Sequence, residues 1–573
     1  MNSKFKEYRK GKVPSEKTNR VWPLYGAGLE NMGVDEKSIE VPMPSFGPDE
    51  LLVRHDACGL CFSDIKVIRL GQEHPRIYRD MRKDPVVLGH EVTMTVVGVG
   101  ENLKSQYKPG DRFIIQADIF VDGIGYAYGY EIQGGLSKYN VIDQRILNGD
   151  GGNYLIPLRP QIGYAESALI EPWACVIAAY YLKYREGLKS EGVAWFIGPE
   201  EGDFSISAGF DTQSHPAVVR LTNMDGPFGK WLVDQSVALD IKIEIMNDLP
   251  AVLADKDCLE TVDDIILLSP TSELIERVSP FLAFKGILAF STTEKLKKPI
   301  NIDVGRIHYN RWLFAGGTHK DIAEIYRHVP ARTSLKKGGR ALFVGAGGPM
   351  GRMHVQHAIE TAQTPSVIVC SDVSNHRLKD IDDTFATDAR KKGIEWLCVN
   401  PTQTDAYEQA MERFKLDGFD DIIMLAPIPA VISNTARWIG KQGVMNIFAG
   451  VARGTAALLD LNDAVFKEAR VVGHSASSIE DMLTMLNEVE SGQLSSNRSV
   501  AAVGSLEAVK DGLQSLMDST YPGKVVIFPH IKPFPLTSLA DLEKTLPNVF
   551  AKLKNGREWT REAEREFLET LLD

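Results

Sequence analysis

"GRALFVGAGGPMGRMHVQHAIETAQTPSVIVCSD", residues 339–372, decides the class of this protein. An apolar run, "RALFV", ends in a loop bearing Gly345, Gly347, Gly348 and Gly351, and the loop leads into the helix-like "MHVQHAIETA". Glycines let a backbone approach a diphosphate closely, and a helix N-terminus offers N–H groups and the positive end of its dipole. The next apolar run, "SVIVCSD", ends at Asp372, 21 residues after Gly351. An acid in that position accepts hydrogen bonds from the adenosine ribose of NAD and repels the extra phosphate of NADP. A plain tight turn needs no strand, helix and acid in register, so the stretch predicts a dinucleotide-binding unit. His354 and His357 on the helix read as packing or surface residues rather than ligands.

Outward from this unit the chain repeats itself. "GVAWFIGPEEGD" from Gly192 parallels "GRALFVGAGGPM" from Gly339, and "PAVVRLTN" from Pro216 parallels "PSVIVCSD" from Pro365. "VDDIILLSPTSELIERVSPFLAFKGILAF" from Val262 matches "FDDIIMLAPIPAVISNTARWIGKQGVMNIF" from Phe419. Each copy alternates Val/Ile/Phe runs with amphipathic stretches, the pattern of a parallel α/β sheet. A doubled domain over 187–334 and 335–493 is the simplest account. The first copy has lost the chemistry. Glu200, Glu201 and Asp203 would meet a diphosphate with like charge, and Asn223 replaces the ribose acid. It reads as a degenerate copy, kept for structure, assembly or the substrate side.

The remainder, 1–186 and 494–573, reads as one domain interrupted by the doubled unit. Its N-terminal part is rich in Gly, Pro and short β-like runs, as in a β-barrel. The whole chain has 573 residues, a formal net charge of −12 and 44% hydrophobic residues. Its pI is about 5.6 and its mean hydropathy −0.14. The acidic balance disfavours nucleic acid as a partner, and no apolar run reaches the ~18 residues of a membrane span. The polar N-terminus has no apolar signal segment, and six cysteines in so long a chain read as reduced thiols. A cytoplasmic location is expected.

Within that domain lie ionisable groups where burial is expected. His90 and Glu91 interrupt the strand-like "DPVVLGHEVTMTVVGVG", residues 84–100. "ACGLCFSDIK" supplies Cys61, then Ser63 and Asp64; "ESALIEPWACV" sets Glu171 in an apolar run before Pro172. Thiolate, imidazole and carboxylate together suit one zinc ion, whose catalytic sites have three protein ligands and an open position. Each piece has a plainer reading: Cys58 and Cys61 as a redox pair, His90 and Glu91 as a satisfied core pair, Glu171 as a helix cap. One zinc site explains all three at once.

These residues are similar to the zinc-dependent medium-chain dehydrogenases. The resemblance rests on "GLCFSD", "GHE", "KPGDRF", "GGLSKY", "ALIEPWA", the glycine loop and "SDVSNHRL", in family order, and covers nearly everything but the first copy. The glutamates of "GHE" and "IEP" resemble the sorbitol dehydrogenase branch, and the wider pattern resembles the L-sorbose 1-phosphate reductase-like group. The resemblance implies an α/β plus β fold, a GroES-like β-barrel catalytic domain interrupted by a duplicated Rossmann-type domain. It implies zinc on Cys61, His90 and Glu91, with Glu171 as a fourth or alternating ligand and Ser63 as the proton-relaying hydroxyl. It implies NAD(H) contacts at Gly345, Gly347, Gly348, Met350, Gly351, Asp372 and Arg377. "QADIFVDGIGYAYGYE" stands in place of the family's four-cysteine lobe, so one zinc ion is expected, and Lys66 lies where many relatives have a relay histidine.

The implied reaction interconverts a sugar alcohol and a ketose. Lys66, Arg69, His74, Arg76, Arg79, Arg82 and Lys83 form a basic cluster that either holds a substrate phosphate or is a solvated charged loop, since Glu73, Asp80 and Asp84 are interspersed. The resemblance favours a ketose phosphate. The alternatives are an unphosphorylated polyol or a non-catalytic NAD-responsive protein. No nucleic acid or membrane partner is expected. The two copies would pair as an internal pseudo-dimer in a monomer, or the chain would form a homo-oligomer, and His308 and Tyr309 of "IHYNRW" are further candidates to line the pocket.

Overall fold

All nine residues of Leu51–Gly59 are buried, and eight of nine in Glu91–Val99, because these apolar runs form sheet covered on both faces. They pair antiparallel with Glu91 opposite Gly59 and Val92 opposite Cys58. That register brings the "GHE" segment against the start of "GLCFSD". The sheet runs in the order Leu155–Pro157, Arg112–Ile115, Glu91–Val99, Leu51–Gly59, Lys524–Phe528, Val500–Ser505, Thr537–Ser538, and Tyr139–Ile142 also pairs with Leu51–Gly59. Strands from the end of the chain therefore complete a sheet begun near its start. Val526 lies opposite Gly59 and Ile527 opposite Cys58.

The computed structural model describes residues 3–199, 202–327, 332 and 334–572. The chain divides into two units, one built from residues up to Ala178, Gly348–Met353 and from Ala476 on, the other from Ala179–Gly347 and His354–Ser475. The cuts differ from the expected 186/187 and 493/494. The second falls earlier because the helix Ile479–Ser491 packs on Ile170–Ala178 and so belongs with the β unit. The two copies lie in one unit. A single apolar cluster including Phe281, Trp312, Phe314, Ile439, Met445 and Leu461 joins them.

In that unit each copy forms a six-stranded parallel sheet of the same order. The first runs Lys242–Ile245, Val218–Thr222, Val193–Ile197, Val262–Leu268, Leu282–Ser291, Leu313–Gly317; the second runs Glu395–Val399, Val367–Ser371, Arg340–Val344, Phe419–Met424, Ile439–Ile447, Arg470–Gly473. Both are the 3-2-1-4-5-6 order of a dinucleotide-binding sheet. The side chains repeat as well. Arg185 pairs with Asp264 and Lys189 with Asp263; at the same offsets Arg332 pairs with Asp421 and Lys336 with Asp420.

The copies meet about a local twofold. Ile300–Asp303 pairs antiparallel with its own counterpart, Ala456–Leu459, in the register Ile300 to Leu459 and Asp303 to Ala456. The helix Val304–Asn310 of the first copy packs on the edge strand Arg470–Gly473 of the second, and the helix Asn462–Phe466 packs reciprocally on Leu313–Gly317. These two edge strands lie side by side but remain in separate sheets. Such reciprocal contact is the isologous pattern of a C2 dimer, here within one chain.

Among the described residues the first copy shows no helix directly after its first strand: 202–217 carry none, whereas the second copy has Pro349–Glu360 there. Glu200 and Glu201 lie outside the described residues. Asp203 is turned to the surface, where it pairs with Lys320 at 2.8 Å, and Asn223 is exposed with φ at +53°. The helix N-terminus of the second copy thus has no counterpart among the described residues of the first.

Candidate metal centre and dinucleotide site

Cys61 is the N-cap of the helix Phe62–Leu70, and Asp64 is its third residue. Asp64 Oδ2 accepts the Cys61 backbone N–H at 2.9 Å, so the carboxylate caps the helix that presents the thiol. Its other oxygen, Oδ1, lies 3.3 Å from His90 Nδ1 and accepts the Gly89 N–H at 3.3 Å. Asp64 is wholly buried. One carboxylate thus ties together the two segments that carry the thiol and the imidazole. Gly89 has φ +99°, and a Cβ there would fall 2.8 Å from Cys58 Sγ, so only glycine lets the chain turn His90 inward.

Glu91 is also wholly buried. Its Oε1 takes a hydrogen bond from Lys524 Nζ, and Lys524, itself buried, donates in addition to the Leu60 carbonyl at 3.3 Å. Burial opposes the charge on Lys524, but Glu91 outweighs it and holds the ammonium above its ordinary range. Glu91 Oε2 has no hydrogen-bond partner among the described residues, and a side chain at Gly59 would collide with it. The Cys61, His90 and Glu91 ligand atoms all lie within 4.8 Å of one another, the one such group of three among the described residues.

Glu171, in the first turn of Ile170–Ala178, stands beside this group rather than within it. Burial pushes its pKa up to about 7; His90 and Lys524 pull it down and Glu91 raises it, which marks the carboxyl as a close neighbour. Cys58 is fully buried and its thiol is pushed well up, chiefly by burial. A protonated, enclosed thiol does not suit redox exchange. Ser63 sits partly exposed in the first turn after Cys61, with Lys66 one turn further on.

Three partners went unassigned in the sequence. Asp64 was visible beside Ser63, but nothing local showed which histidine it would hold. Lys524 has no motif to announce it. Tyr130, whose ring lies edge-on to His90 at 5.8 Å and to His74 at 5.0 Å, sits in the segment that replaces the cysteine lobe.

Three cations of the basic cluster are paired with acids. Arg76 pairs with Asp118, Arg79 with Glu131 at 3.3 Å and Asp84 at 3.0 Å, and Lys83 with Asp80 at 3.4 Å. Arg69 stacks over Phe62. His74 nonetheless feels a positive field: burial, then Arg76 and Lys66, push its pKa down to about 4.

In the dinucleotide unit, Gly345 follows its strand with φ +84°, and a Cβ at Gly347 would fall 2.5 Å from Arg377 Cβ and 3.0 Å from Asp372 Oδ2. Gly347 donates its N–H to Asp372 Oδ2 at 3.0 Å, and Asp372 Oδ1 accepts from Ser374 N at 3.0 Å. Asp372 and Arg377 are therefore brought to the glycine loop, while Gly348, Met350 and Gly351 lie at the start of the helix Pro349–Glu360. Val373 is 67% and Ile428 52% exposed, at the C-terminal ends of the strands flanking Arg340–Val344. Open apolar side chains there suit the face of an adenine.

The helix histidines pack. His354 Nδ1 lies 2.7 Å from Tyr180 Oη, and His357 stacks on the Tyr180 ring at 4.5 Å. His308 is buried where the copies meet, with Nδ1 3.1 Å from the Ile447 carbonyl, and Arg453 covers the Tyr309 ring. No helix among the described residues is long and apolar enough to cross a membrane.

Residues 47–148 match the alcohol dehydrogenase GroES-like domain. Mannitol-1-phosphate 5-dehydrogenase of Aliivibrio fischeri is 24% identical over 93% of this chain and 96% of its own. L-sorbose 1-phosphate reductase of Klebsiella pneumoniae is 24% identical over 49% of this chain and 72% of its own. Among solved structures, 2R,3R-butanediol dehydrogenase from Bacillus subtilis superposes with a TM-score of 0.51 at 16% identity, covering 89% of this chain and 99% of that one. The fold is the expected α/β plus β, a GroES-like domain with Rossmann-like parallel sheets.

Proposed function

We propose that this chain, an oxidoreductase related to the zinc-dependent medium-chain alcohol and polyol dehydrogenases, interconverts a sugar alcohol and a ketose with NAD(H), and that its substrate is phosphorylated. The observation that carries the reading is the group of Cys61, His90 and Glu91, three ligand atoms within 4.8 Å. The donor set fits one zinc ion. Thiolate, imidazole and carboxylate are its ordinary ligands, Asp64 Oδ1 stands 3.3 Å from His90 Nδ1, and neither that nitrogen nor Glu91 Oε2 has a hydrogen-bond partner among the described residues. Bound zinc supplies a Lewis acid for the substrate oxygen, and bound NAD(H) supplies or accepts the hydride.

The chain's own groups do the rest. Asp64 fixes the His90 ring and its tautomer. Lys524 neutralises the inner oxygen of Glu91, and Glu171 is a carboxyl poised near neutrality beside the site. Ser63 Oγ holds the proton of the substrate hydroxyl and passes it outward, with Lys66 next on the same helix face. Gly345 and Gly347 admit the dinucleotide diphosphate, and Asp372 takes the ribose and selects NAD over NADP.

For a phosphorylated substrate, the supports are Lys66 on the helix that carries Cys61 and Ser63, and one sugar-phosphate relative, mannitol-1-phosphate 5-dehydrogenase, matched at near full length. The pairing of Arg76, Arg79 and Lys83 with acids favours the second reading, an unphosphorylated polyol. The test is NADH oxidation by zinc-loaded protein with L-sorbose 1-phosphate beside L-sorbose, and NAD reduction with mannitol 1-phosphate beside mannitol. Turnover of either phosphate over its free sugar supports the proposal; preference for the free sugars selects the second reading, and no turnover on any of the four overturns both.

A further inference from the structure

In the β unit, the helices Lys4–Tyr8 and Arg561–Leu571 and the loop 160–163 enclose a cavity of about 240 Å³. Arg9, Arg112, Arg561 and Arg565 line it, with Glu562 and Glu564. In a chain of net charge −12 this is an unusual concentration of guanidinium groups.

The nearby carboxylates are already committed. Glu564 accepts the backbone N–H groups of Tyr164 at 2.5 Å and Ala165 at 2.8 Å, and burial pushes its pKa up. Glu166 holds Arg561 through two hydrogen bonds of 2.6 and 3.0 Å. Arg9 also donates to the Pro160 carbonyl and Arg112 stands in the field of the Glu564 carboxylate, so four guanidinium groups face Glu562, Glu564 and Glu166.

Arg112 is the informative member. It is 6% exposed, and one nitrogen, Nη1, donates to the Ile162 carbonyl at 2.7 Å. Nε and Nη2 have no hydrogen-bond acceptor among the described residues; the guanidinium lies over the Tyr164 ring at 4.2 Å. Neither nitrogen reaches the cavity surface, so Arg112 bears on an anion there through its charge. Guanidinium groups converging from separate elements match a tetrahedral, multiply charged oxyanion, and the cavity is larger than a lone phosphate needs.

The site is not the metal centre. Arg112 neighbours Thr95, four residues along the strand from Glu91, which at about 3.4 Å per residue is roughly 14 Å away.

We propose that this cavity binds a phosphate group, as free phosphate or as the ester of a small metabolite. The proposal is independent of the catalytic reading. The experiment is calorimetric titration of the full chain, at low ionic strength, with inorganic phosphate, with glycerol 3-phosphate and with acetate. The proteins are wild type, Arg9→Ala/Arg565→Glu and Lys66→Ala, the last reporting on phosphate held beside the metal centre. Saturable phosphate binding that survives in Lys66→Ala and weakens about tenfold or more in the double variant, the scale of one charge-assisted hydrogen bond, supports the site. Arg565 is exposed and Arg9 partly exposed, and an unchanged thermal midpoint without ligand shows that the fold is retained. Tighter binding of the ester identifies an organic phosphate as the ligand; equal affinity identifies free phosphate. Binding unaffected by the double variant, binding lost in Lys66→Ala alone, acetate binding as tightly as phosphate, or no saturable binding would each overturn it.

Discussion

Asp64→Asn is the substitution that tests the metal centre most sharply, because it changes charge and donor pattern without changing shape. Asp64 is buried, with Oδ2 on the Cys61 N–H at 2.9 Å and Oδ1 facing His90 Nδ1 and the Gly89 N–H, each at 3.3 Å. An asparagine can satisfy only one side. If its carbonyl oxygen stays towards His90 and Gly89, its NH₂ meets the Cys61 N–H donor to donor, and the cap, ordinarily about 1 kcal/mol, is lost. If it flips, the NH₂ faces His90 Nδ1 and shifts the ring proton to Nε2, the nitrogen the metal requires. In either case the imidazole loses an anionic partner for a neutral one, about another 1 kcal/mol. The loss of the anionic partner, with the tautomer shifted in one orientation and the Cys61 turn loosened in the other, places the variant in the roughly ten- to hundredfold loss of zinc affinity usual for such partners. The assay is competition for zinc against a chromophoric chelator at pH 7, with Cys61→Ser as the fully disrupted reference. Zinc affinity in Asp64→Asn within about threefold of wild type would refute the role given to this carboxylate.

Three further outcomes are expected. Lys524→Met strands a buried Glu91 and should cost about 3 kcal/mol in urea unfolding of zinc-free protein, and less once zinc supplies a cation; an equal loss with and without zinc contradicts the shared site. His357 is buried and its pKa is pushed down to about 4, so between pH 6.5 and 4 the unfolded chain takes up a proton that the folded one refuses, and stability falls as pH falls. His357→Phe should therefore lose about 2 kcal/mol less than wild type between pH 7 and 5, read from unfolding curves at both values; parallel declines would show that the ring protonates freely in place. Because the two copies cover each other's edge strands, light scattering should give a mass near 63.4 kDa, and a stable dimer would require an interface elsewhere.

What the sequence alone determined is what short stretches of backbone impose. The glycine loop, its helix and Asp372 are within 34 residues, and their spacing is dictated by one strand–turn–helix unit. Cys61 and Asp64 are legible for the same reason, since a cap and its third residue lie within one turn. The repeat is legible because each copy must rebuild the same sheet, down to Asp263–Asp264 and Asp420–Asp421. Only the tertiary structure decided who compensates a buried charge. Lys524 reaches Glu91 from 433 residues away, and Asp118 and Glu131, which pair with Arg76 and Arg79, come from a different loop. Charge compensation depends on distance in space and leaves no period in the chain. The absence of a helix after the first strand among the described residues of the first copy and the reciprocal packing of the two edges were hidden in the same way, because both follow from which surfaces can be buried together.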